Sequence, residues 1–158
     1  EAVRRSGGRV AADAVAVATP YLHVVKGAPE RVHLAAALIV EGGEGTAAWR
    51  RTYLYQLDET QTVASLAAFD AAAGTRLQRQ LEAGYGELLA QIASETAATI
   101  AAEAPVLVTS EFITPRFEFE FAAQLVKRDA QRVWVRNFGG VTAVRTDLAK
   151  VVAPPPRK

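Results

Sequence analysis

Two histidines, His23 and His33, are the first side chains to weigh for chemistry, because imidazole binds metals and titrates near neutral pH. They fall on separate predicted strands, and neither H-x-x-x-H nor H-E-x-x-H spacing occurs. A metal site would need them to meet across a sheet, with Glu111 or Asp13 nearby; satisfied or exposed histidines are the simpler expectation. The serines are Ser6, Ser65, Ser94 and Ser110, and none stands in a G-x-S-x-G or S-x-x-K setting that would activate it. Glu118 and Glu120 share the polar face of one predicted strand, about 6.5 to 7 Å apart from strand rise, a separation that suits an inverting glycosidase pair. Arg116 beside them and an open sheet face favour a solvated charge ladder instead. Gly84-Tyr85-Gly86 lacks the third glycine of a dinucleotide fingerprint. Gly42-Gly43-Glu44-Gly45 joins two strands and offers no helix N-terminus to a phosphate. The chain has no cysteine, hence no thiolate, disulfide or Cys-ligated metal. No catalytic, cofactor-binding or metal-binding residue is therefore nominated, no cofactor is expected, and the chain is expected not to be an enzyme.

The elements that would position any site come from the spacing of apolar residues. Val15 to Val25 reads as a strand, and Pro20, which cannot donate to a ladder, places it at an edge or a bend. From Arg31 to Glu41, Val32, Leu34, Ala36, Leu38 and Val40 alternate with their neighbours, and after the glycine-rich turn Ala47 to Leu57 returns as the second strand of a hairpin. From about Thr62 the period becomes helical, through Leu66, Phe69, Ala73, Leu77, Leu81, Leu88, Ile92 and Ile100. Gly74 followed by Thr75-Arg76-Leu77-Gln78 reads as a break and a fresh cap, giving a short helix to about Ala73 and a long one from Arg76 to about Ala102. Gly84 and Gly86 lie inside the long helix, and close packing on the sheet would offset their cost of about 1 kcal/mol each. Val106 to Thr109 follows Pro105. Arg116 to Val126 is then the cleanest strand, with Phe117, Phe119, Phe121, Ala123 and Leu125 inward. Arg132 to Phe138 returns from the turn at Lys127-Arg128-Asp129-Ala130, and Val141 to Arg145 is a last short strand.

The fold expected is α+β: a mostly antiparallel sheet of two hairpins plus edge strands, packed against one long, broken helix. Residues 10–152 form a single domain, 1–9 a flexible leader and 153–158 a proline-rich tail.

The most distinctive pattern is a repeated W-x-R-x-aromatic. Without a gap, Arg31 overlays Arg116, Trp49 overlays Trp134, Arg51 overlays Arg136 and Tyr53 overlays Phe138, which admits either a duplication or shared hairpin chemistry. Two readings of Trp49, Arg51, Tyr53, Trp134 and Arg136 stand side by side. They are cross-strand packing on a sheet face, with arginine lying along an aromatic ring, or they are an interaction surface of the kind that Trp, Tyr and Arg favour.

Among the 158 residues, half are hydrophobic, enough for an ordinary core, and the net charge of +1 argues against a nucleic-acid partner. Abundant Ala, Gly and Arg read as the coding bias of a GC-rich bacterial genome. No run approaches about 18 apolar residues, so no segment spans a bilayer as a helix. The chain has no methionine, so Glu1 is expected to follow a processed or engineered start, consistent with a removed signal peptide or lipoprotein leader.

The hairpin, long helix and hairpin layout resembles small bacterial envelope lipoproteins of unknown function. These have a strand pair ending in W-x-R-x-aromatic, as in Trp49-Arg50-Arg51-Thr52-Tyr53, then a helix like Leu77 to Ile92. The likeness covers about Arg31 to Ile100, extends loosely to the curli-secretion type of assembly lipoproteins, and transfers no functional residue. It implies a periplasmic, possible outer-membrane-anchored accessory or scaffold domain, touching the membrane only through an N-terminal anchor. Its partners would be other envelope proteins or a second copy. The alternative is a small apolar-ligand-binding protein whose pocket lies between helix and sheet, where Ala35, Ala37, Ala72 and Ala73 leave room.

Overall fold

Alternation in the second long strand decides the architecture. Val32, Leu34, Ala36, Leu38 and Val40 all point to one side and are buried there with Leu88 and Ile92 of the long helix. The structure, a computed structural model, describes residues 2–3, 16–27, 30–68, 70–115 and 119–155. Its strands are β1 (Ala2–Val3), β2 (Ala16–Lys26), β3 (Arg31–Gly42), β4 (Trp49–Thr62), β5 (Ala104–Ser110), β6 (Phe121–Arg128), β7 (Arg132–Asn137), β8 (Gly140–Arg145) and β9 (Ala149–Val152). The helices α1 (Val63–Ala67), α2 (Ala71–Ser94) and α3 (Ala97–Ala101) all fall between β4 and β5.

The molecule is α+β, with its long helix packed on a largely antiparallel sheet. Eight strands of four residues or more, with the two-residue β1 at one edge, run in the order β1-β2-β3-β4-β8-β7-β6-β5-β9. Two antiparallel meanders, β2-β3-β4 and β5-β6-β7-β8, therefore meet at a single parallel pairing of β4 with β8. Ala2 and Val3, within the segment expected to be a leader, pair with Val17 and Ala16. Pro20 does lie in a strand near the sheet edge, as expected.

The sheet is larger than two hairpins with edge strands. Val141 to Arg145, expected as a last short strand, lies at the centre, and residues 140–144 are buried. A central strand buried on both faces needs no polar alternation, so its period gives no sign of its place. Gly140 makes the junction possible. It has φ +145°, and a Cβ there would sit 1.8 Å from the Thr52 carbonyl oxygen.

The helical segment breaks elsewhere than at Gly74. Asp70 caps α2, its carboxylate accepting from the Ala73 amide at 2.7 Å, and the helix runs on through Gly74, Gly84 and Gly86 to Ser94. A second interruption, at Glu95 and Thr96, starts α3 with a reciprocal Thr96–Thr99 capping box. Gly84 is the close-packing position: a Cβ there would lie 2.8 Å from the Ala36 Cβ and 3.1 Å from the Tyr55 ring. Gly86 has nothing within 4 Å and packs on nothing.

The expected strand from Arg116 begins only at Phe121. Phe119 precedes it and is half exposed, while Arg116, Phe117 and Glu118 lie outside the described residues, as do Asp13, Val15, Phe69 and the tail from Pro156. The turn after β5 lies against the face of the sheet away from α2. There Phe112 is buried with Val25, Ala35 and Val144, and Ile113 packs beside it. Val106, Val108, Ala123, Val133 and Val135 complete that far-side core.

Candidate functional site

The register brings the two repeated motifs onto one face. Tyr53 pairs with Leu38 on one side and Val141 on the other, and Val141 pairs with Arg136. Leu38, Tyr53, Val141 and Arg136 thus form one row across four strands, and Arg51 stands one pleat along β4 on the same, helix-facing side. Over this row lies the C-terminal end of α2, and its C-cap residue Glu95 points down into it.

Glu95 is where the motifs converge. Arg136 donates through Nη2 to Glu95 Oε1 at 2.8 Å, the Tyr53 hydroxyl donates to Oε2 at 3.0 Å, and Arg51 Nη1 reaches Oε2 at 3.5 Å. Arg136 Nε also donates to both oxygens of Glu103, at 2.9 and 3.0 Å, just before β5. The side chains of Glu95 and Glu103 are 4% exposed and that of Arg136 12%, so the cluster is interior. Two guanidinium groups face two carboxylates, and the charges balance.

Electrostatics show how tightly the groups are held. Burial alone would lower the Arg136 pKa, but its hydrogen bonds to Glu103 and Glu95 outweigh it and hold the proton more firmly than usual. The Tyr53 phenol is raised, first by burial and then by the adjacent Glu95 carboxylate. A carboxylate at a helix C-terminus opposes the helix dipole, and the two arginines supply the compensating charge. Chemically the cluster is a clasp: each carboxylate is engaged by arginine, and what it holds is the end of α2 and the start of β5 against the sheet. Arg136 Nη1 is buried and finds no hydrogen-bond partner among the described residues.

The tryptophans part company. Trp134 is 1% exposed and Tyr53 2%, so neither is available as the contact surface the motif suggested. The reason lies in the next row, where Ala36, Tyr55, Ala143 and Trp134 are successive cross-strand neighbours. Small Ala143 lets the two rings lean together across it, with centroids 5.8 Å apart. Lys127 Nζ caps the Trp134 ring at 4.3 Å, and the Arg132 guanidinium lies 4.8 Å over Tyr55. Trp49 is half-buried at the start of β4 with its indole against Gly42. Arg51 is one-third exposed and Arg136 nearly covered. Among the described residues, arginine lies along an aromatic ring where Arg132 covers Tyr55, and Lys127 covers Trp134 in the same way.

The histidines occupy the far face. His33 is buried, with Nδ1 3.2 Å from Gln56 Nε2 and Nε2 3.2 Å from Glu111 Oε2, and Gln56 Oε1 in turn accepts from the Arg145 amide at 3.0 Å. It is a satisfied core histidine that pins the turn after β5, and Arg31 joins the same Glu111 at 3.1 Å. His23 does not ligate with it; both rings stand edge-on to Phe112, at 6.2 and 6.3 Å. Burial lowers the His23 pKa. Among the described residues no three His, Asp or Glu side chains gather as a metal site. Ser110 is buried and its hydroxyl accepts from the Phe112 amide at 3.3 Å, a turn contact.

One exposed feature escaped the sequence reading. Phe138, overlaid on buried Tyr53, projects fully into solvent from the β7–β8 turn. It borders a groove of about 530 Å³ whose lining includes Pro105, Leu107, Ala122, Arg136, Pro154 and Pro155. Gln124 and Pro105 continue the Arg136 row, which places the groove on the helix side, over strands that α2 does not cover. Two consecutive glycines after Phe138 were the available signal, since they end the strand before the aromatic can turn inward. At the middle of α2 the seam between helix and sheet, by contrast, is closed by Gly84 on Ala36. Ala35 lies on the opposite face with Phe112, and Ala37 shares that side by alternation, so neither lines a helix–sheet cavity. Nearer the start of α2 a pocket of about 240 Å³ does open between helix and sheet, walled by Ala73, Arg76 and Leu77 of α2 and by Leu34, Glu59 and Gln61 of the sheet.

Comparison with family models, with curated proteins and with solved structures finds no match to this chain. Among the described residues no helix is long and apolar enough to cross a membrane.

Proposed function

We propose that this chain is a non-enzymatic accessory or scaffold domain of the bacterial envelope, acting through protein–protein contacts made at the bare helix-side face around Phe138. A fully exposed phenylalanine beside an apolar groove carries the proposal, because aromatic side chains in such settings dominate binding energy. The engagement of Glu95, Glu103, Arg51 and Arg136 with one another favours a structural over a catalytic use of the buried charges. The occupant fitting the groove is an apolar segment of another envelope protein, since the one charged side chain among the described residues of its lining, Arg136, is already neutralised. The periplasmic location rests on the resemblance of the strand pair and helix.

The experiment is a photo-crosslinking residue at position 138 in cells expressing the native gene product. A discrete adduct with an envelope protein, lost when exposed Ala122 becomes Arg, is the expected result. An adduct ladder insensitive to Ala122→Arg, or none, removes the proposal. Fractionation of the same cells tests the location.

The groove also favours a second reading, a small apolar ligand, because its volume falls within the roughly 300–1,000 Å³ of ligand pockets. Native mass spectrometry then shows an adduct mass that Ala122→Arg abolishes.

A further inference from the structure

The β4–β8 register ends at Tyr55 and Ala143, and beyond it a side chain carries the pairing on. Gln56 is buried, and its Oε1 accepts from the Arg145 amide of β8 at 3.0 Å. A backbone N–H can only donate, so the Gln56 amide is oriented: its oxygen faces β8 and its NH2 group faces His33. His33 Nδ1, 3.2 Å from Gln56 Nε2, must therefore accept, and the single proton of the neutral ring sits on Nε2. That proton is donated to Glu111 Oε2, 3.2 Å away on the turn after β5. Among the described residues, Glu111 is the charged group bonded to the ring, with Arg31 of β3 behind it at 3.1 Å; His23 of β2 meets Phe112 instead.

We infer that His33 is a proton-operated switch between the turn after β5 and the β4–β8 junction. With one proton on the ring, every hydrogen bond of the chain from Arg145 through Gln56 and His33 to Glu111 is made. A second proton goes to Nδ1 and meets the Gln56 NH2 group, so two buried donors face each other. Turning the Gln56 amide over relieves that contact, because its oxygen then accepts from Nδ1. The same rotation points the NH2 group at the Arg145 N–H, which loses its acceptor. A hydrogen bond from an imidazolium is stronger than one between neutral groups, so the loss falls on Arg145 and not on the ring. The imidazolium also binds the Glu111 carboxylate more strongly than the neutral ring does. Protonation thus tightens the turn that carries Phe112 and loosens β8 from β4. The chain lies on the face away from the Phe138 groove, so neither proposal stands or falls with the other.

The test is NMR of the nitrogen-15-labelled full chain carrying His23→Gln, which leaves His33 as its one histidine. At about pH 7.5 the ring is expected to show a protonated Nε2 and an unprotonated Nδ1. On acidification to about pH 5.5 the Arg145 amide resonance is expected to shift with the same midpoint as the His33 ring. Gln56→Glu keeps the size of the side chain, and its carboxylate can accept from the Arg145 amide and from Nδ1 together. In that variant His33 is expected to hold both ring protons at about pH 7.5, and the Arg145 amide to stay still on acidification. The melting temperature of the variant checks its fold independently, and should it not fold, the Gln56 chain decides alone. A proton on Nδ1 at about pH 7.5 in the Gln56 chain would overturn the inference. So would an Arg145 amide that ignores the His33 titration, a ring that takes no second proton before the chain unfolds, or a singly protonated ring in folded Gln56→Glu.

Discussion

Arg51 of β4 and Arg136 of β7 bind opposite oxygens of one buried carboxylate, Glu95, at 3.5 and 2.8 Å. The two meanders also meet at the β4–β8 pairing and, on the far face, through Glu111 and Phe112, but this shared acid ties both to the end of α2. Removing one partner of a buried pair strands the other's charge. Glu95→Ala is therefore expected to lower unfolding free energy by about 3 to 5 kcal/mol in urea titrations. Arg51→Ala, at the one-third-exposed member, should cost no more than about 1 kcal/mol. Equal losses at the two positions would show that the charges are not coupled as the geometry places them.

Two glycines two residues apart in α2 should respond to alanine with opposite signs. At Gly86 nothing lies within 4 Å, so Gly86→Ala gains the helix propensity difference, about 1 kcal/mol. At Gly84 the same methyl enters the space of Ala36 and Tyr55, and overpacking of about 1 to 3 kcal/mol exceeds that gain. Melting temperatures of both variants measure this directly, and Ala36→Gly is expected to rescue Gly84→Ala in the double variant.

At the β4–β8 junction the backbone itself sets the constraint. Gly140→Ala combines a disfavoured φ with contact against Thr52, and should cost at least about 3 kcal/mol or prevent folding. Gly45 has φ +55° but open space around it, so Gly45→Ala should cost only about 1 to 2 kcal/mol. Similar urea midpoints for the two variants would show that β8 tolerates displacement from β4.

Much of this architecture is written in local pattern, and the rest depends on neighbours that no local pattern encodes. The run of larger apolar residues from Val32 to Val40 identifies β3 and its helix-facing side, while His33, Ala35 and Ala37 on the other side are buried as well. Residues 140–144 give no such signal, because β8 is covered on both sides. Arg51 and Arg136 stand out as a repeated pair, yet their meeting point is invisible: Glu95 becomes a buried partner only when the helix ends above Tyr53. Trp134 looks like contact surface until Ala143 is seen to leave room for Tyr55 against it. Asp70 was a readable cap that the more conspicuous Gly74 obscured.

The His23 imidazole supplies a pH dependence whose sign follows from its burial. Desolvation lowers its folded-state pKa below the usual value of 6.5, so between the two values the unfolded chain binds the additional proton. Stability must then rise with pH across that window: it is fully present above about 6.5 and is lost as pH falls toward the folded-state value. Urea midpoints at about pH 7.5 and about pH 5.5 should differ for the native chain, with the acid value lower. His23→Gln removes the titrating group while keeping a side chain of similar reach, and should shrink that difference. If the variant falls as steeply on acidification as the native chain, another group governs the acid limb, and the ring packed edge-on to Phe112 is not the one that resists protonation.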